Sequence, residues 1–439
     1  MATDAFITAF RIPNLLRDMF AEGALSQAFI PVFKGKMVKD GNENAFHLAN
    51  IVITAILLFV GIIVLLGIVA APILIFMFAN GFVDTPDKFD LTVSLTRVMM
   101  VYLLLVSLSA IVMGLLNSFG KFAIPAISPA LFNLGIIVTV IGMYHYLDIP
   151  IYALAIGVVV GGVGQLVIQI PALYKVGYRY KPVIDFLDEG FKKIIKLLGP
   201  MIIGLSASRI NILVNTLVAS FLIEGAISYL SYSYRLMHFP LGVFAVALGT
   251  VALPKVSELV TSNKREEINQ MFVDTLSTNM FIVIPSAVFL GMMGHEIVDL
   301  IFAWGAFSAE DTSRTSLALM HYAYGLIGFA AVRVVVPFYY AHSDSKIPMR
   351  ASVMTVLINL IMYYPMIKLL NFAGLAAATS IAGLSNFLIL LYFLPAKGVT
   401  YNKGKLWLAI FRILVASGFA FYIAKMIPLK IYQGEIQLF

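Results

Sequence analysis

Apolar runs of about 20 residues recur along the whole chain, and this feature limits its fold more than any other. A run of that length crosses the hydrocarbon core of a bilayer as an α-helix, whereas β-barrel spans are shorter and alternate polar with apolar residues. The chain is 61% hydrophobic and 12% charged, and soluble domains carry about 25% charged residues. The sequence therefore predicts an all-α, polytopic membrane protein.

About twelve membrane-spanning segments can be delimited by hydropathy. They cover residues 4–33, 48–79, 91–117, 124–146, 150–174, 194–221, 225–254, 268–293, 315–341, 347–369, 373–395 and 405–426. The first segment contains Pro13 and Gly23. We expect these two residues to interrupt its helix, and a broken helix in a membrane belongs beside a polar cavity.

Charges in the loops indicate the orientation of the chain. Lys and Arg concentrate in alternate loops, among them residues 34–39, 175–196 and 255–265, while the opposite loops carry only Lys88 and Arg314 beside several carboxylates. The positive-inside rule places the first set in the cytoplasm. Topology thus explains the net charge of +7, and no nucleic-acid partner is indicated.

Motifs of covalent chemistry are absent from the sequence. The chain has no cysteine, no Walker P-loop, no HExxH motif and no convincing hydrolase triad, and its six histidines are scattered. This pattern favours a transporter over an enzyme.

The sequence repeats itself weakly at an offset of roughly 221–226 residues. Phe10-Arg11-Ile12 matches Tyr234-Arg235-Leu236, and Lys121 to Pro125 matches Asp344 to Pro348. Because the offset spans six helices, both halves insert with the same orientation. We predict two parallel six-helix-type repeats, an N-lobe (1–180) and a C-lobe (181–400), around a central cationic cavity, working by alternating access.

Polar residues in the apolar helices are the candidate site, because ionisable groups at membrane depth usually line a substrate or ion pathway. They are Asp4, Arg11, Asn14, Arg17 and Glu22 in the first segment, and Arg209, Asn211, Asn215, Arg235 and His238 in the second half. If Arg17 and Arg235 meet across the cavity, their forked donors suit a phosphate or pyrophosphate. The alternative is that these arginines snorkel or pair with nearby carboxylates. Arg97, Arg333 and Arg412 are each alone in their segments, and we interpret them as such interfacial arginines.

Three neutral residues of the second half are a candidate cation site, namely Asn215, Asn359 and Thr379. Hard cations prefer oxygen ligands, commonly with a carboxylate, and no acidic residue accompanies these three. Interhelical hydrogen bonding is therefore the favoured interpretation. For His238, a protonation role and a helix-packing role both stay open.

The first segment, DAFITAFRIPNLLRDMFAEGALSQAFIPVF, closely resembles the signature region of the MurJ (MviN) lipid II flippases, a family of the multidrug/oligosaccharidyl-lipid/polysaccharide (MOP) exporter superfamily. The resemblance continues through NGFVDTPDKFDLT, GLLNSFGKFAIPAISPALFN and SYRLMHFPLGVFAVALGTVALP, and covers essentially the whole chain.

The resemblance implies a flippase that moves lipid II, the undecaprenyl-pyrophosphate-linked disaccharide pentapeptide, to the outer leaflet of the bacterial cytoplasmic membrane for peptidoglycan synthesis. Arg17 and Arg235 match the pyrophosphate-binding pair, and Asp4, Asn14 and Glu22 match further functional positions. We expect Asp4 and Glu22 to orient the arginines and to contribute to gating. Sodium or the membrane potential is the implied driving force, and membrane lipids and cell-wall synthesis proteins are the implied partners.

Two departures from the family accompany the resemblance. The family has fourteen helices, and this chain is expected to lack the first and the last, which leaves 401–439 as one helix of a truncated lipid-tail groove. His238 stands where an acidic residue is common, so we expect it to take part in gating. Two other functions stay open: a drug or amphiphile exporter of the same superfamily, and a non-transporting scaffold that binds lipid intermediates.

Overall fold

The computed structural model of the chain describes residues 1–17 and 25–426. Within these residues it is α-helical without a β-strand, and ten stretches are long and apolar enough to cross a membrane. The ten stretches match ten of the predicted segments, and Ala28–Val69 also covers the end of segment 4–33. This confirms the all-α membrane class. The other two predicted segments, 4–33 and 194–221, also contain helices, although part of the first lies outside the described residues.

The chain divides into two compact units, unit 1 (Met1–Ile227) and unit 2 (Ser228–Phe439). The described residues of unit 1 form nine α-helices: α1 (Ala2–Arg17), α2 (Ser26–Ala55), α3 (Gly61–Val69), α4 (Ala71–Phe78), α5 (Pro86–Ser118), α6 (Ala123–Met143), α7 (Tyr152–Val167), α8 (Ile170–Lys175) and α9 (Glu189–Ser220). A π-helical turn, Ile56–Val60, joins α2 to α3. The lobe boundaries expected after residues 180 and 400 stay predictions.

Unit 2 contains the remaining helices. Over its described residues these are α10 (Ala226–Pro240, starting two residues before the unit boundary), α11 (Val246–Thr261), α12 (Arg265–Met292), α13 (Gly294–Phe302), α14 (Ala309–Ala341), α15 (Lys346–Leu370), α16 (Ala373–Phe393) and α17 (Lys403–Met426). Pro240 ends α10, and a π-helical turn, Leu241–Ala245, leads into α11.

The order and spacing of helices in unit 2 follow those of unit 1. The pairs α4 and α13, α5 and α14, and α6 and α15 each start 223 residues apart, and α7 and α16 start 221 residues apart. These spacings agree with the offset of the sequence repeat. The parallel relation of two six-helix repeats stays a prediction.

Small residues set the helix spacing in unit 1. Ala5 and Ala9 of α1 are fully buried against Met99 and Tyr102 of α5, because a methyl side chain lets two helix backbones approach closely. Gly161 of α7 packs on α6 so tightly that an added Cβ would lie 2.4 Å from a backbone oxygen. The glycines of α7 are therefore packing residues and not part of a phosphate-binding loop.

The core of unit 2 surrounds α14, which packs against α11, α12 and α16. Phe272 of α12 and Phe338 of α14 meet edge to face with ring centroids 5.2 Å apart. Gly328 and Gly383 bring α14 and α16 together, since a Cβ on Gly328 would lie 2.6 Å from the backbone of Gly383.

The helix α1 continues through Pro13 to Arg17, so the interruption predicted at Pro13 is wrong. A proline removes one intrahelical hydrogen bond, and membrane helices tolerate it where neighbouring groups satisfy the freed carbonyl. Gly23, the other expected break, lies outside the described residues.

Two side chains of α2 hold the segment between α8 and α9. The Asn50 Oδ1 accepts hydrogen bonds from the Tyr178 hydroxyl at 2.7 Å and from the Lys181 amide at 3.1 Å. One helical turn later, the Thr54 Oγ1 accepts the Val183 amide at 3.2 Å. Because α2 bends at Gly41, where φ is 80°, this segment is fixed along the part of α2 after the bend, just beyond the charges at residues 34–39 that indicate the cytoplasm.

Asp188 ends the same segment and begins α9. Its carboxylate accepts the Phe191 amide at 3.0 Å as an N-cap and forms an ion pair with Lys36 at 2.7 Å. Burial acts to raise the pKa of Asp188, but the bonds from Lys36 and from the Phe191 amide outweigh it and hold the pKa below its ordinary value.

Candidate functional site

Asp4 is the most deeply placed carboxylate of the candidate site. Its side chain is 2% exposed and pairs with Lys88 of α5, whose Nζ lies 2.8 Å from the Asp4 Oδ2. The same oxygen accepts the Gly225 amide at 2.9 Å, just after α9. One buried carboxylate thus joins α1, α5 and the segment that follows α9.

Arg11 and Arg17 extend from α1 to different neighbours. Six residues along a continuous helix separate their directions by about 120°. Arg11 donates to the Thr216 hydroxyl of α9, whereas the Arg17 Nη1 lies 3.5 Å from the Tyr102 hydroxyl of α5. The second contact is long for a hydrogen bond.

The remaining predicted residues of the first segment are less informative. Asn14 is half-buried on α1, within one turn of Arg11 and of Arg17. Glu22 lies outside the described residues, as does the side chain of Arg209. The roles assigned to these residues stay predictions.

In unit 2, α10 carries Arg235 and His238 one turn apart in a membrane-spanning stretch. Arg235 is exposed and makes no hydrogen bond or ion pair with any residue that the structure describes. The His238 ring lies on Tyr234 with centroids 3.9 Å apart, and its Nδ1 is 3.1 Å from the Tyr234 carbonyl oxygen. An arginine without a counter-ion at this depth is costly unless it has an anionic ligand.

The three residues considered for a cation do not form one cluster in either unit. Asn359 and Thr379 are buried on the adjacent helices α15 and α16, whereas Asn215 belongs to α9 of unit 1. The Asn359 amide donates to the Tyr363 hydroxyl at 3.2 Å, and the Thr379 hydroxyl donates to the Leu375 carbonyl at 2.8 Å. Over the described residues no three acidic, histidine or cysteine side chains converge on a metal-binding position. The possible cation site at these three residues stays a prediction.

Sequence reasoning missed the partners of these side chains. Thr216, Tyr102 and Gly225 carry no signal in a single sequence, because their importance comes from which helices pack together. Lys88 did carry one, since it is one of two basic residues in loops that otherwise lack positive charge.

The sequence model of the family described as "Lipid II flippase MurJ" matches residues 1–434. The probable lipid II flippase MurJ of Buchnera aphidicola subsp. Schizaphis graminum is 34% identical over 416 residues, which cover 95% of this chain and 81% of that protein. The lipid II flippase MurJ of Burkholderia cenocepacia is 32% identical over 419 residues, which cover 94% of this chain and 81% of that protein.

Solved structures show the same likeness. A lipid II flippase MurJ in an inward closed conformation superposes with a TM-score of 0.82 at 28% identity, covering 97% of this chain and 86% of that one. An inward-facing multidrug-resistance MATE transporter of the MOP superfamily superposes with a TM-score of 0.72 at 13% identity, covering 91% of each chain. At that identity the second likeness shows a shared fold only.

Proposed function

Because the chain belongs to the MurJ family of lipid II flippases, we propose that it moves lipid II from the inner to the outer leaflet of the bacterial cytoplasmic membrane by alternating access. The family accounts for the predicted membrane location and for lipid II as substrate. The strongest support for the proposal comes from the surroundings of Arg235. It is an exposed guanidinium in a membrane-spanning helix, with no ion-pair partner among the described residues, and a diphosphate would supply the missing anion.

Arg17 and Arg235 bind the diphosphate of lipid II in this proposal. A guanidinium presents forked N–H donors that match phosphate oxygens in pairs, so arginine suits the task better than lysine. Arg17 is half-buried at the end of α1, with its Nη1 3.5 Å from the Tyr102 hydroxyl. Arg11 and Asn14, on the same helix, bind neighbouring oxygens of the headgroup.

Asp4, Glu22 and His238 control access to the site in this proposal. Asp4 supports it best, because releasing the Gly225 amide from the carboxylate would free the segment after α9. His238 contacts Tyr234 and lies one turn from Arg235 on α10, so we place it at the edge of the binding site. Substrate passes without making or breaking a covalent bond, and cell-wall synthesis enzymes are the partners that would use it.

The membrane potential drives transport in this proposal, and no step depends on sodium. Lipid II is an anion, and moving one negative charge outward across an inside-negative membrane is favoured by about 2.3 kcal/mol per 100 mV. A potassium diffusion potential imposed on proteoliposomes in sodium-free buffer should therefore accelerate flipping. Acceleration by a sodium gradient alone would contradict this part of the proposal.

The test of the site compares Arg17→Ala and Arg235→Ala with Arg97→Ala in cells depleted of their own flippase. Arg97 is an exposed membrane arginine whose Nε donates to the Ile68 carbonyl at 3.3 Å, so it controls for the loss of one positive charge. Outer-leaflet exposure of lipid II should be lost in the first two variants and kept in the third, at equal amounts of protein in the membrane. Normal exposure in both site variants would refute the assignment.

A further inference from the structure

Asn279 of α12 is an unusual side chain for the interior of a membrane helix bundle. It is fully buried in the membrane-spanning stretch Arg265–Met292, and neither its Nδ2 nor its Oδ1 has a hydrogen-bond partner among the residues that the structure describes. Its surroundings are apolar, since Phe272, Leu276 and Met280 of the same helix belong to the core of unit 2. Burying an amide without hydrogen bonds is costly, and almost all buried amides in proteins are paired. This cost is explained if Asn279 is paired in another arrangement of unit 2.

The helix α14 contains an acceptor that lacks its usual donor. Pro337 lies inside this helix, and proline has no N–H, so the Arg333 carbonyl four positions earlier loses its intrahelical hydrogen bond. Gly249 of α11 packs so closely on this carbonyl that an added Cβ would lie 2.5 Å from the oxygen. Because a Cα–H group is at most a weak donor, Gly249 covers the oxygen without replacing the lost bond.

The helices α12 and α14 are antiparallel, as two contacts show. Phe272 in the first half of α12 meets Phe338 near the end of α14, with ring centroids 5.2 Å apart. Gly291 near the end of α12 lies against Ala323 in the first half of α14, since an added Cβ would be 3.6 Å from the alanine Cβ. These two contacts fix which residues of the two helices are level.

The unpaired amide and the Arg333 carbonyl lie at the same level. Asn279 follows Phe272 by seven residues, and Arg333 precedes Phe338 by five, so the two differ by only about 3 Å along the helix axes. Counting from the other contact gives an offset of the same size in the opposite direction. Seven residues are two turns, so Asn279 also lies on the face of α12 that carries Phe272 and packs on α14.

We propose that Pro337 is a hinge of unit 2 and that Asn279 is the donor that stabilises its bent form. In the packed form, which is the arrangement of the structure, Gly249 covers the Arg333 carbonyl. In the bent form the end of α14 that the loop charges place in the cytoplasm swings away from α12, because a helix bends at its proline and opens the gap at the freed carbonyl. The Asn279 Nδ2 then donates to the Arg333 oxygen. The inference rests on the proposed function, since alternating access is the movement that the hinge would serve.

The first experiment measures stability and flipping together for wild type and Asn279→Val. Valine removes both unpaired atoms with little change in volume, so the unfolding equilibrium in SDS and detergent mixtures should shift toward the folded state roughly tenfold. Flipping of lipid II by the full chain in proteoliposomes should slow, because the bent form loses its donor. A purely structural residue would change both quantities in the same direction. Lower stability in Asn279→Val would overturn the inference.

The second experiment measures the separation of the ends of α12 and α14 by electron paramagnetic resonance. Spin labels are attached to cysteines introduced at Glu266 and Tyr340, which are both exposed, in a chain without native cysteine. Wild type in vesicles with lipid II should show two separations, and Asn279→Val should show only the shorter one. A single separation in wild type, or two in both proteins at equal populations, would overturn the hinge.

Pro337→Ala is the second variant, and Pro365→Ala is its matched control. Alanine at 337 restores the N–H to the Arg333 carbonyl, so Pro337→Ala should also show only the shorter separation. Pro365 lies at a similar distance from the end of its helix, α15, but the residue four positions earlier is exposed, so Pro365→Ala should keep both separations. If Asn279→Val does not insert, Pro337→Ala decides, and a wild-type distribution in it would overturn the inference. Failure of the wild type to flip lipid II would refute the proposed function, and the separations would still decide the hinge.

Discussion

Replacing Lys88 by Met should destabilise unit 1 more than the loss of any other single ion pair described here. The side chains of Lys88 and Asp4 are 8% and 2% exposed, and their charged atoms lie 2.8 Å apart. Lys88→Met keeps the apolar length of the side chain but removes its charge, while the Gly225 amide still donates to the Asp4 carboxylate.

The expected cost follows from this burial. Removing one partner of a buried ion pair costs about 3–5 kcal/mol, because the other charge is left uncompensated. Lys88 also lies over the Phe82 ring at 4.2 Å, a contact that contributes on the order of 1 kcal/mol. In the double variant Asp4→Asn/Lys88→Met no charge is stranded, and an amide oxygen still accepts the Gly225 N–H. We therefore expect the double variant to regain most of the loss and to stay about 1 kcal/mol below wild type, the value of the ring contact.

The assay is equilibrium unfolding of the purified protein in SDS and detergent mixtures, followed by circular dichroism, over the full double-mutant cycle. Arg314→Met is the control, since Arg314 is the other basic residue of the outer loops and pairs with Glu310 at the surface. That pair should contribute about 0–1 kcal/mol. The reasoning would be refuted if Lys88→Met lowered the free energy of unfolding no more than Arg314→Met does. That result would mean that water compensates the charge of Asp4.

Two further predictions concern the segment between α8 and α9. Asp188→Ala removes both the N-cap of α9 and the partner of Lys36 and should lower the free energy of unfolding by about 0.5–2 kcal/mol. The pKa of Asp188 is lowered in the folded protein. Its carboxylate therefore contributes to the free energy of unfolding in full above the ordinary carboxyl pKa of about 4, and this contribution is lost as pH falls through the lower folded-state pKa. A difference between wild type and Asp188→Ala that does not shrink toward low pH would contradict this. Asn50→Ala leaves the Tyr178 hydroxyl and the Lys181 amide without their acceptor. Amide hydrogen exchange should therefore increase around Lys181 and Val183, while α14 stays as protected as in wild type. Unchanged exchange around Lys181 and Val183 would show that other contacts hold the segment.

Helix identity and order follow from the sequence because they depend on local composition. A stretch of about 20 apolar residues has one low-energy form in a membrane, and ten predicted segments therefore reappear within the described residues. The prediction at Pro13 failed for a different reason. Whether proline breaks a membrane helix depends on what neighbouring elements offer to the freed carbonyl, and one sequence does not contain that information.

The candidate site was predictable in its residue types but not in its pairings. Charged residues in apolar helices can be recognised directly in the sequence. Lys88 was also noticeable, because the outer loops contain more acidic than basic residues. Its partner Asp4 could not be identified, because the pair joins positions 84 residues apart. The divergence of Arg11 and Arg17 was foreseeable from helical geometry once α1 is taken as continuous, whereas Thr216 and Tyr102 as their partners required the packing of α1 against two other helices.

Isolation in a segment is a poor guide to the role of a membrane arginine. Arg97, Arg333 and Arg412 share that property in the sequence, yet their surroundings differ. Arg97 donates to a backbone carbonyl where α3 ends, which is a structural role. Arg412 is exposed on α17 with no second charged group identified beside it within the described residues, which fits an arginine that reaches the interface. Arg333 is exposed on α14, and its backbone packs against Gly249 of α11. These different surroundings come from helix packing, which the charge pattern of one sequence does not contain.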